Sequence, residues 1–327
     1  MDYKGEGALF ARSLELLKLA EPVAFNTSNV TVQGNVNAFA VNKDDWNTLY
    51  MKVVNDRVSV KVNGQTVADN AIIKNGNPTG LIDLNGVQTR SAQVKELAST
   101  PIFTLSPEEK KQGFEVLFDG RSLEKWHGNT TSYVPVDGNI YVTANYGGNG
   151  NLYTNKKYSD FIYRFEFCFD VVGVNNGIGL RTSDGVDAAY EGMEIQVLDN
   201  MADIYKNLAP YQYHGSVYGI HIPKKLDFGP IRTWHTEEIV AKGDYIKVTV
   251  DGTVVTECNI REACKGHNVA PDGSQHNPYT IDHKNHPGLF NKEGYISFCG
   301  HGPGVMFRNI RILDLSKQGA KKGKSKK

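Results

Sequence analysis

The chain has 327 residues and a formal net charge of zero, with 36 Lys+Arg balancing 36 Asp+Glu. That balance excludes a general electrostatic attraction to nucleic acid or to an anionic membrane, and no run of eighteen apolar residues offers a transmembrane helix. Glycine (33), tyrosine (16) and phenylalanine (14) are plentiful, a profile of many short strands joined by glycine-bearing turns.

The first residues, Met1-Asp2-Tyr3-Lys4-Gly5-Glu6, are polar and lack the apolar segment of a signal peptide. An exported, periplasmic or cell-surface protein would have shed its signal ahead of them. Leu9, Leu14, Leu16, Leu17 and Leu19 recur at roughly helical spacing, which predicts a short helix over residues 8–20. From Val30 the pattern turns to strand. Val58, Val60 and Val62 alternate with Ser59 and Lys61, and Asn63-Gly64 then predicts a hairpin turn. This hairpin recurs: residues 46–64 align without gaps to residues 234–252, with Trp, Thr, Asp, two Val and Gly coinciding. Two related β units in tandem are expected, residues 1–100 being a partial copy that serves as structure or covers a neighbouring cleft. A chance recurrence of a common hairpin is the plainer reading.

Residues 101–112 read as a linker with a short capped turn. A second unit is expected over 113–315, with strands at 161–171, 178–182, 193–198, 238–240, 245–250, 295–299 and 305–314. Consecutive strands without long helices between them predict an antiparallel, all-β sandwich. Trp126 and Trp234 are expected as core anchors. Residues 316–327, rich in Lys, Gly and Ser, read as a disordered basic tail. Cys168, Cys258, Cys264 and Cys299 have no CxxC spacing, which argues against zinc or a motif-borne catalytic thiol. Cys258 and Cys264 read equally well as a disulfide or as free thiols.

Three segments stand out: residues 175–182, 190–200 and 212–219. In Met193-Glu194-Ile195-Gln196-Val197 the apolar residues alternate with Glu194 and Gln196, so these two share the face away from the core. The same alternation places Arg181 on such a face. His214 and tyrosines 190, 211, 213 and 218 follow. A gathering of arginine, carboxylate, amide and imidazole rimmed by tyrosines has the makings of a cleft for a polyhydroxylated ligand. Each member also has a plain structural reading: Arg181 and Glu194 as a cross-strand ion pair, Gln196 as a buried amide, His214 and His301 as braces of glycine turns. His276, His283 and His286, in the His- and Asn-rich stretch 265–287, read as loop histidines. Asp199-Asn200 reads as a turn.

Phe118-Asp119-Gly120 with Leu123 and Trp126, Gly177-Ile-Gly-Leu-Arg-Thr182, Tyr190-Glu-Gly-Met-Glu-Ile-Gln-Val-Leu-Asp-Asn200, Tyr213-His-Gly-Ser-Val-Tyr-Gly219 and the run from Gly300-His301 to Arg311 resemble the 3-keto-disaccharide hydrolase domain family. The likeness spans about residues 113–315. It implies a concanavalin-A-like jelly roll in an exported, carbohydrate-active protein. It also implies a reaction: a ketone at C3 of a sugar acidifies the C2 hydrogen, a base removes that proton, the C1 substituent leaves, and water adds to the product. The substrate would be an oxidised disaccharide or glycoside. Such chemistry needs a base, an electrophile at the C3 oxygen and an acid for the leaving group. The candidates are Glu194 or His214 as base, His301 as acid or second base, and Arg181 with Gln196 holding the keto oxygen and hydroxyls. Tyr190, Tyr213 and Tyr218 are candidates for sugar contacts. A divalent metal on Glu194 and a histidine is an option without a dense ligand motif behind it. One ionisable group on the 193–198 strand gives little support to a two-carboxylate retaining mechanism, unless Glu166 or Asp203 supplies the second. The competing functions are a non-catalytic, lectin-like sugar-binding module and a conventional glycoside hydrolase.

Overall fold

Alternating apolar and polar residues form strands through most of the chain. The computed structural model describes residues 2–4, 23–25, 30–33, 45–54, 57–74, 88–91, 93, 103–143 and 150–317. The helix expected over residues 8–20 and the tail from residue 318 lie outside the described residues. The chain folds as two units, Met1–Thr100 and Pro101–Lys327.

In the first unit, β1 (Asp2–Lys4), β2 (Val23–Phe25), β3 (Val30–Gln33), β4 (Asn47–Val54), β5 (Arg57–Val62), β6 (Gln65–Lys74) and β7 (Gln88–Ser91) form one antiparallel sheet in the order β2-β3-β6-β5-β4-β1-β7. The turn between β5 and β6 places Asn63 and Gly64 both at positive φ (50° and 80°), the demand that an Asn-Gly pair meets at low cost.

The second unit begins with α1 (Pro107–Gln112). Ser106 caps it by accepting from Glu109 N, while the Glu109 carboxylate accepts from Ser106 N. Glu109 also takes Arg164 (3.1 Å) and Arg311 (2.7 Å), so the stretch expected as a linker carries a helix fixed to the second unit's sheet. The strands follow: β8 (Glu115–Phe118), β9 (Trp126–Gly128), β10 (Tyr133–Val136), β11 (Asn139–Val142), β12 (Leu152–Tyr158), β13 (Phe161–Phe169), β14 (Asn175–Thr182), β15 (Met193–Leu198), β16 (Trp234–Lys242), β17 (Tyr245–Val250), β18 (Thr253–Asn259), β19 (Gly294–Gly300) and β20 (Val305–Asp314). Short helices α2 (Ala188–Glu191) and α3 (Ile260–Ala263) interrupt them.

Two antiparallel sheets result. One runs β10-β11-β20-β13-β16-β17-β18, with β8 also on β20; the other runs β15-β14-β19-β12-β9. They enclose a core filled from alternate positions: Phe161, Tyr163, Phe165 and Phe167 from β13 meet Ile296 and Phe298 from β19, and the Phe298 and Phe307 rings lie 4.2 Å apart. The architecture is the expected all-β sandwich. Trp126 is a core anchor, stacked on Phe298 at 5.3 Å with Nε1 donating to Leu117 O. Trp234 is not. On β16 the buried positions are His235, Glu237, Ile239 and Ala241, so Trp234 falls on the outer face, where the Arg308 guanidinium covers its ring at 3.8 Å. All four cysteines are free thiols. Among the described residues no helix is long and apolar enough to cross a membrane.

The two aligned hairpins coincide in detail. Leu49 pairs with Val62 as Glu237 pairs with Val250, and each third strand is bulged at the equivalent place, after Val60 and after Val248. Asn63 N donates to Thr48 O and Asp251 N to Thr236 O, and the two side chains accept in turn from Thr48 N and Thr236 N.

Candidate active site

The five-stranded sheet buries one face in the sandwich core and lines a cavity with the other. On β15, Met193, Ile195 and Val197 enter the core, while Glu194, Gln196 and Leu198 line the cavity. Beside them on β14, Gly179 pairs with Glu194 and Gly177 with Gln196. These glycines make the space. A methyl group at Gly177 would overlap the Glu194 carboxylate, and one at Gly179 would overlap Ser297 Oγ. The cavity measures about 420 Å³, room for a sugar ring and part of its substituent.

Glu194 is 4 % exposed and holds His301, at the mouth and 43 % exposed, through Oε1–Nε2 at 3.1 Å. His301 follows β19. The hydrogen bond His301 donates to Glu194 raises its pKa above the ordinary imidazole value; burial works the other way, and the charges of Glu194 and Asp187 reinforce the rise. Gln196 donates through Nε2 to Asn175 Oδ1 at 3.2 Å, and both line the cavity.

The opposite rim comes from loops. Asp187 caps α2 by accepting from Ala189 N, and this short helix carries Tyr190 into the lining. The stretch 265–287 then lays Lys284 against Tyr190, Nζ donating to the phenol oxygen at 3.0 Å, a bond that raises the lysine pKa. Asparagine side chains hold this stretch in shape: Asn268 donates to His286 O, Asn277 to His267 O, and Asn285 to Ser274 O. His286 is buried. Its Nδ1 donates to Ala189 O at 2.8 Å, its Nε2 faces Asp282 at 3.1 Å, and its ring packs 4.9 Å from Tyr190. His276 and His283 stack on each other at 4.9 Å away from the lining. Tyr218, fixed through its hydroxyl by Gln212 at 3.0 Å, completes the wall with Tyr205, Leu208 and Ala189.

Five of the eight expected residues therefore meet: Glu194, Gln196, His301, Tyr190 and Tyr218. Three do not. Arg181 has φ +52°, and the β14–β19 register shifts between Gly179 and Thr182. That irregularity breaks the parity on which its placement relied. The guanidinium turns away and binds Ser159 O (2.7 Å), Gly243 O (2.7 Å) and Asp160 Oδ1 (3.2 Å). It makes no pair with Glu194. His214 is 1 % exposed in the core, ringed by Phe167 and Phe228. Its Nδ1 accepts from Leu198 N at 3.1 Å, and its Nε2 meets Glu237 at 3.0 Å, so it cannot reach a substrate. With both ring nitrogens so engaged, it does not brace the glycine turn at Gly215 either. Tyr213 packs under Lys225, Nζ 3.9 Å from the ring centre, outside the lining.

Two functional candidates escape a reading of the sequence, Asp187 and Lys284. Asp187-Ala-Ala-Tyr carries a helix-capping signal; nothing in the pattern marks Lys284. Asp187 gives the cavity a second carboxylate beside Glu194. The carboxylates expected from outside β15 do not contribute: Glu166 binds Arg308 and Asn309 on the other sheet, and Asp203 is exposed away from the lining. Among the described residues no group of three or more His, Cys, Asp or Glu is arranged to hold a metal ion.

Residues 113–313 match the model of the 3-keto-alpha-glucoside-1,2-lyase-like domain. Comparison with curated proteins gave no match. Among solved structures, the chain is similar to a candidate glycosyl hydrolase from Parabacteroides distasonis, with 21 % identity over 64 % of this chain and 98 % of that one at a TM-score of 0.52. A second candidate glycosyl hydrolase from the same organism aligns at 25 % identity over 62 % of this chain and 98 % of its own, with a TM-score of 0.50. With the family model covering more than half its length, the chain belongs to the 3-keto-alpha-glucoside-1,2-lyase-like domain family.

Proposed function

We propose that the cavity cleaves 3-keto-glycosides by elimination followed by hydration. The observation that carries this reading is the pairing of buried Glu194 with half-exposed His301 at 3.1 Å in a cavity that also receives Lys284 on Tyr190. Glu194 is the base that takes the C2 proton. The resulting enolate oxygen at C3 is met by the Lys284 ammonium and the Tyr190 hydroxyl, which take the part expected of Arg181. His301, whose protonated form Glu194 favours, gives its proton to the departing C1 oxygen. Gln196 and Asn175 hold sugar hydroxyls, and Tyr218 walls the ring. Water adds across the double bond of the product. Family membership supports the reaction class, and an exported setting where glycans are degraded goes with it.

Asp187 favours a second reading, a conventional glycoside hydrolase with Glu194 and Asp187 as its carboxylates. Turnover of a 3-keto-glucoside and of its unoxidised parent, each with and without a chelator, separates the two. Cleavage of the keto-sugar alone supports elimination, and cleavage of the unoxidised parent overturns it. Binding of both without turnover identifies a sugar-binding module.

A further inference from the structure

Among the described residues of the second unit, four exposed aliphatic side chains fall on two loops that touch. Val172 is 67 % exposed, Ile204 73 % and Met201 55 %, with Val171 beside them. Ile204 Cδ1 lies 2.8 Å from where a Cβ on Gly173 would stand, so the loop 171–174 and the 3₁₀ turn at 203–205 touch. They are also knitted together by Gly173 N donating to Asp199 Oδ2 (2.9 Å) and Tyr205 OH donating to Gly173 O (2.9 Å).

Three tethers join this patch to cavity-lining residues. Tyr205 follows Ile204 directly. Asn175 opens β14 just after the 171–174 loop. The loop that leaves His301 packs on the patch, since the Val171 side chain fills the place of a Cβ on Gly304. The apolar surface therefore borders the cavity at Asn175 and Tyr205, just beyond its lining. Clustered exposed aliphatics on a folded unit mark a binding surface, and this one touches, at Gly304, the loop that follows the residue assigned above to protonate the leaving group.

We infer that Val171, Val172, Met201 and Ile204 form the leaving-group subsite, and that it takes an apolar, aryl aglycone in preference to a second sugar. The inference rests on the orientation given by the proposed reaction. A sugar in that position would set its hydroxyls against aliphatic side chains, whereas an aromatic ring would cover them.

The test measures binding of unoxidised 4-nitrophenyl and methyl glucosides, both anomers, to the full chain by calorimetry. The wild type is expected to bind the aryl glucoside about tenfold more tightly, an affinity step worth roughly 1.4 kcal/mol. In the double variant Val172→Thr, Ile204→Asn, whose changes lie on the surface, that ratio falls to near unity. Equal affinities in the wild type, no binding of the aryl glucoside, or a ratio unmoved by the double variant overturns the inference. Failure to turn over any 3-keto-glucoside overturns the reaction proposed above while leaving this binding comparison standing.

Discussion

Gly177→Ala is the most informative small change in the site. The added methyl group would occupy the position of the Glu194 carboxylate. With Glu194 only 4 % exposed, the carboxylate must rotate off His301 or advance into the cavity. Either movement breaks the 3.1 Å contact and displaces the proposed base by on the order of 1 Å, an error that costs on the order of 100-fold in rate. Folding suffers less. Overpacking costs about 1–3 kcal/mol, while restricting the unfolded chain returns about 0.4–1 kcal/mol. Each kcal/mol of net loss lowers Tm by about 2–4 °C in a unit of this size, so a fall of at most about 10 °C is expected. The assay is kcat and KM on a 3-keto-glucoside, well below the variant's Tm. Gly179→Ala is the comparison: its methyl group meets Ser297 Oγ, so it should lose similar stability with kcat nearer the wild type. A Gly177→Ala protein that is folded and has wild-type kcat refutes the placement of Glu194 at the reacting carbon.

Other expectations follow from the same contacts. Arg181→Ala leaves the Ser159 and Gly243 carbonyls without their donor and should cost about 2–4 kcal/mol in chemical denaturation; kcat at wild-type level in the remaining folded protein would confirm that the arginine is structural. Lys284→Met should lower kcat by on the order of 100-fold with little change in thermal stability, and an unchanged kcat would remove the lysine from the mechanism. Because Glu194 raises the His301 pKa, the stabilisation from this pair is fully present below the unfolded value of about 6.5 and is lost as pH rises through the higher folded value. Turnover should have an alkaline limb at that folded value. NMR titration of the His301 ring in Glu194→Gln should show the pKa moving down, and no movement would mean another group sets it.

Strand parity makes β15 readable: the alternation in Met193-Glu-Ile-Gln-Val197 places Glu194 and Gln196 correctly. Parity fails at Arg181 because a register shift with a positive φ looks like ordinary alternation when only residue types are visible. His214 is misplaced for a different reason. A polar residue in a loop reads as exposed unless its buried partner is known, and that partner, Glu237, stands at an inward position of β16 among His235, Ile239 and Ala241. That inward carboxylate is the missed signal, since a buried acid requires a donor. β10 and β11 also escape the pattern reading, although Asp137-Gly138 between them is a hairpin pair with both residues at positive φ. Lys284 is beyond it altogether. Its position follows from asparagine side chains bonded to distant carbonyls across residues 265–287, and such bonds leave no periodic trace.

The base assignment is tested most directly by comparing wild type and Glu194→Gln on a 3-keto-glucoside, with kcat measured by turnover and Kd by calorimetry. The account predicts a fall in kcat of on the order of 10²–10⁴-fold with Kd nearly unchanged. A glutamine variant that turns over at the wild-type rate would contradict it.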